Sequence, residues 1–352
     1  MLVAAACHWR SCVNSYTHIF KHSTSNSQLD MIARYAIPFF FLMGLVVVPL
    51  LFSLLCRWLM PRRYWRQTAL VSTLLIWGVV LYGYLVGFQQ LEVRHIEYVS
   101  RDLPASFDGY CIVQFSDAHV GSFGGSRQWL LQRAVDSINV QGADAIVFTG
   151  DLENLHPDEL RPQLSILRQL HARDGVFSVL GNHDYPTYLD CDEATKAKCE
   201  KLTRQYEQQA GWRLLANQHQ VVRRDSDSIV IAGMENWGTL KRMPRRGDVR
   251  KTMQGVGSAA FVVMLQHDPT AWREKILPEC HAQLTLSGHT HGGQFSLFGW
   301  SPASLTYDEW RGFAYEGKRA LFVSTGLGSL IPFRLNMPGE IVVITLRKSS
   351  SL

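Results

Sequence analysis

Five short segments of this chain carry side chains able to bind metal ions or move protons. Ser116-Asp117-Ala118-His119 follows the run CIVQF. Gly150-Asp151 follows AIVFT, and Gly181-Asn182-His183-Asp184 follows VFSVL. Gln266-His267-Asp268 follows FVVML, and Gly288-His289-Thr290-His291-Gly292-Gly293 follows QLTLS. Each segment alone has a bland reading: a solvated loop, a turn, or a core histidine. Gly-Asn-His-Asp and Gly-His-Thr-His-Gly-Gly are more specific, because glycine lets backbone and imidazoles crowd one point. Five such segments, each directly after a β-rich apolar run, point to one shared centre.

Carboxylate and amide oxygens mixed with imidazoles suit manganese, iron or zinc rather than a thiolate site. Two divalent cations about 3.5–4 Å apart need a carboxylate between them to offset their repulsion. A water between such cations loses a proton near neutral pH, and the cations clamp phosphoryl oxygens as charge spreads over them. The leaving oxygen then needs a proton or a hydrogen bond. No Ser or Cys stands in a nucleophile elbow, so direct attack by metal-bound hydroxide is expected, without a phospho-enzyme.

The elements that would position these groups are short strands. Apolar runs at 111–115, 145–149, 176–180, 229–233, 261–265, 283–287, 320–324 and 341–346 have the length and bounding residues of strands buried on both faces. Residues 127–140 and 158–170 carry apolar side chains at helical spacing, and 191–210 is polar and helix-prone. Alternation of strand and helix predicts an α/β layered domain, with sites in the crevice beyond the carboxyl ends of the strands.

Ahead of that domain lie two uncharged runs, Tyr35–Cys56 of 22 residues and Gln67–Leu91 of 25. At about 1.5 Å per residue, each is long enough to cross a hydrocarbon core of about 30 Å. Pro38 and Pro49 are tolerated in membrane helices. A cleaved signal peptide fits poorly, because the first run is too long and starts too late. The loop RWLMPRRYWR carries four Arg in ten residues, and the positive-inside rule places it in the cytoplasm. The expectation is a multi-pass cell-membrane protein whose larger domain lies on the extracytoplasmic side, although Arg10, Lys21 and Arg34 flank the first run on its other side. The expected divisions are a tail at 1–34, a membrane hairpin at 35–91 (35–56 and 67–91, with a basic loop at 57–66), a linker at 92–109 and the α/β domain at 110–348.

Charge agrees with that division. The 352 residues carry 35 Lys+Arg and 30 Asp+Glu, but residues 1–91 hold seven basic side chains against Asp30 alone. The rest therefore carries 28 basic and 29 acidic residues, and no nucleic-acid partner is expected of so neutral a domain. A charged fraction of 18% with 17 Phe, 12 Tyr and 10 Trp excludes a disordered chain. Seven Cys in this length exclude a small disulfide scaffold.

The order D-x-H, G-D, G-N-H-D, H, G-H-x-H resembles the five-block signature of the calcineurin-like metallophosphoesterase superfamily, over about residues 110 to 346. The block SGHTHGGQF, the preceding QHDP and the ending PFRLNMPGEIVVITL look like its bacterial membrane-anchored branch. The resemblance implies a four-layer β-sandwich flanked by helices, here preceded by the transmembrane hairpin. It implies two divalent metal ions. One would be held by Asp117, His119, Asp151 and His291, the other by Asp151, Asn182, His267 and His289, with Asp151 bridging. Relatives often have an Asp shortly after the Gly-Asp block, where this chain has Leu-Glu-Asn; Glu153 and Asn154 are not ligand positions. In the resembled family the position of His183 serves the leaving oxygen. Asp184 could orient His183, or could be a turn or cap residue.

The expected function is hydrolysis of a phosphate ester or pyrophosphate by a membrane-anchored enzyme, with a lipid-linked substrate. Alternatives are a phosphodiesterase on soluble or nucleotide substrates that is merely tethered, and a non-enzymatic receptor or scaffold. Gly238–Lys251 carries six cations (Lys241, Arg242, Arg245, Arg246, Arg250 and Lys251) against Asp248. It could gather anionic headgroups or phosphates, or be a solvated loop. Trp237, Trp300, Tyr307 and Trp310 could line an apolar approach or belong to the core. Cys191 and Cys199 could pair only if their stretch is not an unbroken helix.

Overall fold

A computed structural model describes residues 37–349, Arg242 excepted. The expected tail at 1–34 lies outside the described residues. Twelve strands follow in chain order: β1 (Leu91–Ser100), β2 (Cys111–Phe115), β3 (Ala145–Phe148), β4 (Val176–Ser178), β5 (Arg213–Leu214), β6 (Gln218–Arg224), β7 (Asp227–Gly233), β8 (Phe261–Leu265), β9 (Leu284–Ser287), β10 (Gly312–Glu316), β11 (Arg319–Val323) and β12 (Gly339–Lys348). They form two six-stranded sheets, ordered β1-β12-β2-β3-β4-β5 and β10-β11-β9-β8-β7-β6.

The central strands are largely apolar because both faces are covered. Side chains alternate across a strand. On β2, Ile112 enters the core between the sheets, while Val113 and Phe115 pack beneath the helix Gln128–Asn139. On β8, Phe261, Val263 and Leu265 face the first sheet, while Val262 and Met264 meet Trp272 and Ile276 on the outside. The result is four layers: helix, sheet, sheet, helix, as expected of the fold.

β2, β3 and β4 run parallel, as do β7, β8 and β9. Their carboxyl ends therefore collect at one edge, and the five chemistry-bearing segments lie there.

Two local expectations are corrected. The segment 92–109, expected as a linker, contains most of β1, which pairs in parallel with β12 over its whole length. The expected helix at 158–170 is two short 3-10 turns and one α-helical turn, Leu164–Leu167. Pro162, inside the segment, cannot donate the i→i−4 bond to the Asp158 carbonyl that a continuous helix needs. The stretch 191–210, expected to be helix-prone, forms the helix Glu193–Gln209, capped by Asp192, whose carboxylate accepts the Thr195 N–H at 2.7 Å. Cys191 and Cys199 are both free thiols.

Ahead of β1, two spans are long and apolar enough to cross a membrane, Phe39–Leu59 (21 residues) and Arg62–Gln89 (28 residues). Their Leu, Val and Phe side chains are largely exposed, including Leu50, Leu51, Leu70, Leu74 and Leu75. A core helix of a water-soluble fold would bury such a surface. The first span passes through a π-helical turn, Met43–Val47, just before Pro49, which lies inside the continuous span; Trp77 Nε1 donates at 2.7 Å to Leu45 O, the carbonyl that the proline cannot serve.

At their domain-side ends the two spans touch the folded domain. The Phe333 ring lies 5.0 Å from the Phe40 ring and fills the room left at Gly83, where a Cβ would collide with it. Arg334 N donates to Gly83 O at 3.1 Å. Arg127 stacks 4.6 Å over the Tyr84 ring.

Candidate metal centre

Three of the five segments turn sharply to aim their side chains. Asp117, His119, Asp151, His289 and His291 all have positive φ, between 42° and 74°. This left-handed conformation is uncommon for residues other than glycine, and five such residues around one point mark a functional constraint. Close approach is enforced as well. A Cβ on Gly150 would lie 2.5 Å from Gly181 N and 2.8 Å from His267 Nδ1, and one on Gly181 would collide with the Asp151 carboxylate.

The side chains gather into two groups sharing one residue. Asp117, His119, Asp151 and His291 offer ligand atoms within 4.8 Å of one another, and so do Asp151, His267 and His289. Asp151 Oδ2 lies 3.7 Å from His119 Nε2 in the first group and 3.1 Å from His267 Nε2 in the second. Its other oxygen accepts the His183 N–H at 2.8 Å. The two sheets are stitched together here, since His289 N donates to the Asp117 carboxylate at 3.0 Å.

Ring orientations are set from behind. His267 Nδ1 donates to Thr149 O at 2.7 Å, which leaves Nε2 toward Asp151. His289 Nε2 lies 2.8 Å from Tyr307 Oη, which leaves Nδ1, 3.2 Å from His267 Nε2. His291 Nδ1 donates to Gly328 O at 3.3 Å, with Nε2 3.4 Å from Asp117 Oδ1. Asn182 Nδ2 donates to Tyr188 Oη at 2.9 Å, which leaves Oδ1 as the available ligand atom. Such outer partners fix tautomers and orient ligands.

The donor set fits divalent cations. His119 is buried with no hydrogen-bond partner on either ring nitrogen, and Asn182 Oδ1 is buried without one. Buried polar atoms are otherwise almost always paired, and a cation satisfies these. Burial holds the His119 imidazole well below its ordinary pKa and lowers His291 to about 4, so both rings are neutral and able to ligate at neutral pH. His267 differs. Burial lowers it, but Asp151 beside Nε2 outweighs that and raises it to about 10, so without metal a proton sits where a cation would bind.

His183 stands at the rim. Its ring lies 5.0 Å from that of His119 and stacks on Tyr188 at 4.8 Å. Its Nδ1 donates to Asn154 O at 2.5 Å. The expectation that Asp184 could orient His183 is corrected. The buried Asp184 carboxylate is spent on backbone N–H groups: Asp151 and Leu152 at 2.7 Å, Gly181 at 2.8 Å and Glu153 at 3.2 Å. Asp184 locks the second and third segments together and is a positioning residue.

Sequence reasoning missed several supports. Tyr188 and Tyr307 hold Asn182 and His289. Glu159 accepts the N–H of Asn154 at 2.7 Å and that of Leu155 at 3.2 Å, and the second bond holds the peptide whose carbonyl orients His183. Tyr307, expected to line an apolar approach or belong to the core, instead holds His289. The other aromatic candidates divide: Trp237 packs against the second sheet's outer core, Trp310 offers its carbonyl to Thr290 Oγ1 at 2.7 Å, and Trp300 is half-exposed. The basic segment borders the centre. Gly238 lies against Asp268, and the Tyr188 hydroxyl reaches Met243 Sδ at 4.0 Å. Arg246 pairs with Glu200 at 2.6 Å.

Comparison with known proteins decides the family. The calcineurin-like phosphoesterase model matches residues 111–293, and all seven candidate ligands and His183 lie inside that span. The chain belongs to the calcineurin-like phosphoesterase family.

The family assignment is repeated among curated relatives. The chain is 30% identical over 293 residues to a zebrafish (Danio rerio) "Transmembrane protein with metallophosphoesterase domain", covering 81% of this chain and 63% of that one. It is 29% identical over 281 residues to the "Uncharacterized metallophosphoesterase YkuE" of Bacillus subtilis, covering 76% of this chain and 91% of that one. It is 28% identical over 263 residues to an uncharacterized metallophosphoesterase of Campylobacter jejuni, covering 73% and 64% respectively. The chain thus spans somewhat less than two thirds of the zebrafish and Campylobacter proteins.

Proposed function

We propose that this chain is a membrane-anchored phosphoesterase with two divalent cations, acting on a lipid-linked phosphate ester or pyrophosphate. The observation that carries the reading is the single carboxylate oxygen of Asp151 shared between two ligand groups. Asp117, His119, Asp151 and His291 would hold one cation, and Asp151, Asn182, His267 and His289 the other. Bound there, divalent cations lower the pKa of a water and offset charge on the phosphoryl oxygens.

The chain's own side chains supply the rest. Asn154 O holds His183 Nδ1, so Nε2 is the ring atom that carries a proton to the departing oxygen. Tyr188, stacked on the ring, restricts its rotation. Asp184 keeps the Asp151 and Gly181 peptides at fixed spacing, which holds the bridging carboxylate in place. Arg245, anchored by Gly238 O and Thr239 O, belongs to the basic segment bordering the centre and could meet the substrate's remaining negative charge.

The lipid assignment is supported by two exposed apolar spans and by the contact of Phe333 with both of them. The expected basic loop at 57–66 is helical except at Met60-Pro61, and its four Arg flank that bend at the end opposite those contacts, which supports a catalytic domain outside the cytoplasm.

The test is metal analysis and hydrolysis on one detergent-purified sample, with aryl phosphate monoesters and diesters compared. About two cations per chain with turnover is the expected result. Absence of bound metal under every loading condition would overturn the reading.

A further inference from the structure

The turn Leu297-Phe298-Gly299-Trp300 takes no part in the site described above. Leu297 N donates to Trp300 O at 2.9 Å and Trp300 N to Leu297 O at 3.0 Å, closing a two-residue hairpin. Both central residues are left-handed, Phe298 at φ 51° and Gly299 at φ 83°. That geometry favours Asn, Asp or Gly at its first position, and a bulky aromatic there is an outlier. Phe298 is also 100% exposed. The ring therefore gains neither backbone ease nor packing within the chain. Leu305, five residues on, is 76% exposed, and Leu297 and Trp300 are about half-exposed. Four large apolar side chains this close in sequence form an unusual surface for a domain bathed only in water.

The turn is tied to the membrane spans. Phe295 forms a β-bridge with Leu335, Ser296 N donates to Leu335 O at 2.9 Å, and Asn336 Nδ2 donates to Ser296 O at 3.1 Å. Leu335 is two residues beyond Phe333, whose ring sits against Phe40 and Gly83. Gln294 Nε2 donates to the carbonyls of Ile331 and Phe333, at 2.9 and 2.7 Å. On its other side the turn leads through Pro302–Leu305 to Tyr307, which holds His289. The apolar tip thus lies, in bonded order, between the anchor and the metal ligands.

We propose that the Leu297–Trp300 turn inserts into the phospholipid surface beside the membrane hairpin. Phe298 and Leu305 enter the acyl region, and Trp300 sits at headgroup depth, the preferred place for an indole. The bilayer then forms one side of the approach to the metal centre, and a lipid-borne phosphate reaches the site without crossing water. This inference rests on the membrane anchoring proposed above.

The test places 4-trifluoromethylphenylalanine, one position per chain, at 298, 305, 75 and 140 of the full chain in phosphatidylcholine–phosphatidylglycerol vesicles. Position 75 reports the second membrane span, and exposed Val140 reports the end of the helix Gln128–Asn139. Fluorine signals are read with nitroxide-bearing lipid and, separately, with a water-soluble gadolinium chelate. Retained metal content in detergent shows that each chain is folded. The expected result is loss of the 298, 305 and 75 signals to the lipid nitroxide but not to gadolinium, with the reverse at 140. If 298 and 305 behave as 140 while 75 reports lipid, the turn is not inserted, and the anchor stands. If 75 also behaves as 140, the anchoring fails, and this inference with it.

Discussion

The Asp184 carboxylate accepts the backbone N–H of Asp151 at 2.7 Å, so the acid beside His183 in sequence supports the bridging residue instead. Removing it leaves four buried N–H donors without a partner, each costly when unpaired. Asp184→Ala is expected to lose on the order of 3 kcal/mol or more of stability. It should also weaken metal binding. Chemical denaturation and metal titration check this. Unchanged metal affinity with reduced turnover would restore the rejected role, orientation of His183.

His183 contacts the centre only through its backbone N–H and its ring's position beside His119. His183→Ala should therefore keep both cations and lose rate, by about 10²–10⁴-fold for esters with poor leaving groups. Esters whose leaving oxygen is already acidic should lose far less. A rate series over substituted aryl phosphates measures this, and an equal loss across the series would remove the acid assignment.

Metal affinity should rise with pH. In the metal-free centre the His267–Asp151 pair keeps His267 protonated up to about pH 10, whereas His119 and His291 are already neutral. A cation must displace that proton, so affinity should climb about tenfold per pH unit between about 6 and 9. Calorimetry in buffers of different ionisation enthalpy should count about one released proton. The sign reverses for the metal-free fold. His267 is raised from 6.5, so its pairing stabilises fully below about pH 6.5 and fades as pH rises through about 10. Denaturant midpoints of metal-free protein should fall across that window.

Tyr307 is the outer partner of His289, with Oη 2.8 Å from Nε2. Tyr307→Phe removes that bond while keeping the ring. Metal affinity should drop about 10- to 100-fold, the usual effect of losing such a partner. The Asp117–His291 group should be spared, so titration should separate into a strong and a weak step.

Much of this was legible because burial on both faces leaves a plain mark. β3 and β8 are unbroken apolar runs, β2 and β9 are broken only by buried Gln114, Thr285 and Ser287, and all four lead into their ligand segments. β1 left no such mark. It reads LEVRHIEYVS, mixing charged and apolar residues, because it is an edge strand with one face toward water. Periodicity likewise suggested one helix over 158–170, where Pro162 interrupts the bonding and only single turns form.

By itself, then, the sequence determined which residues could ligate and that they end parallel strands, since both follow from local order along the chain. It also determined the two apolar spans, from length and charge alone. Only the tertiary structure decided the outer partners. Asn154 O on His183, Asp184 on Asp151 and Tyr307 on His289 join separate loops, and hydrogen bonds between loops depend on how two sheets stack. The same holds for Phe333 against Phe40 and Gly83, a contact between segments about 250 and 290 residues apart that no local pattern encodes.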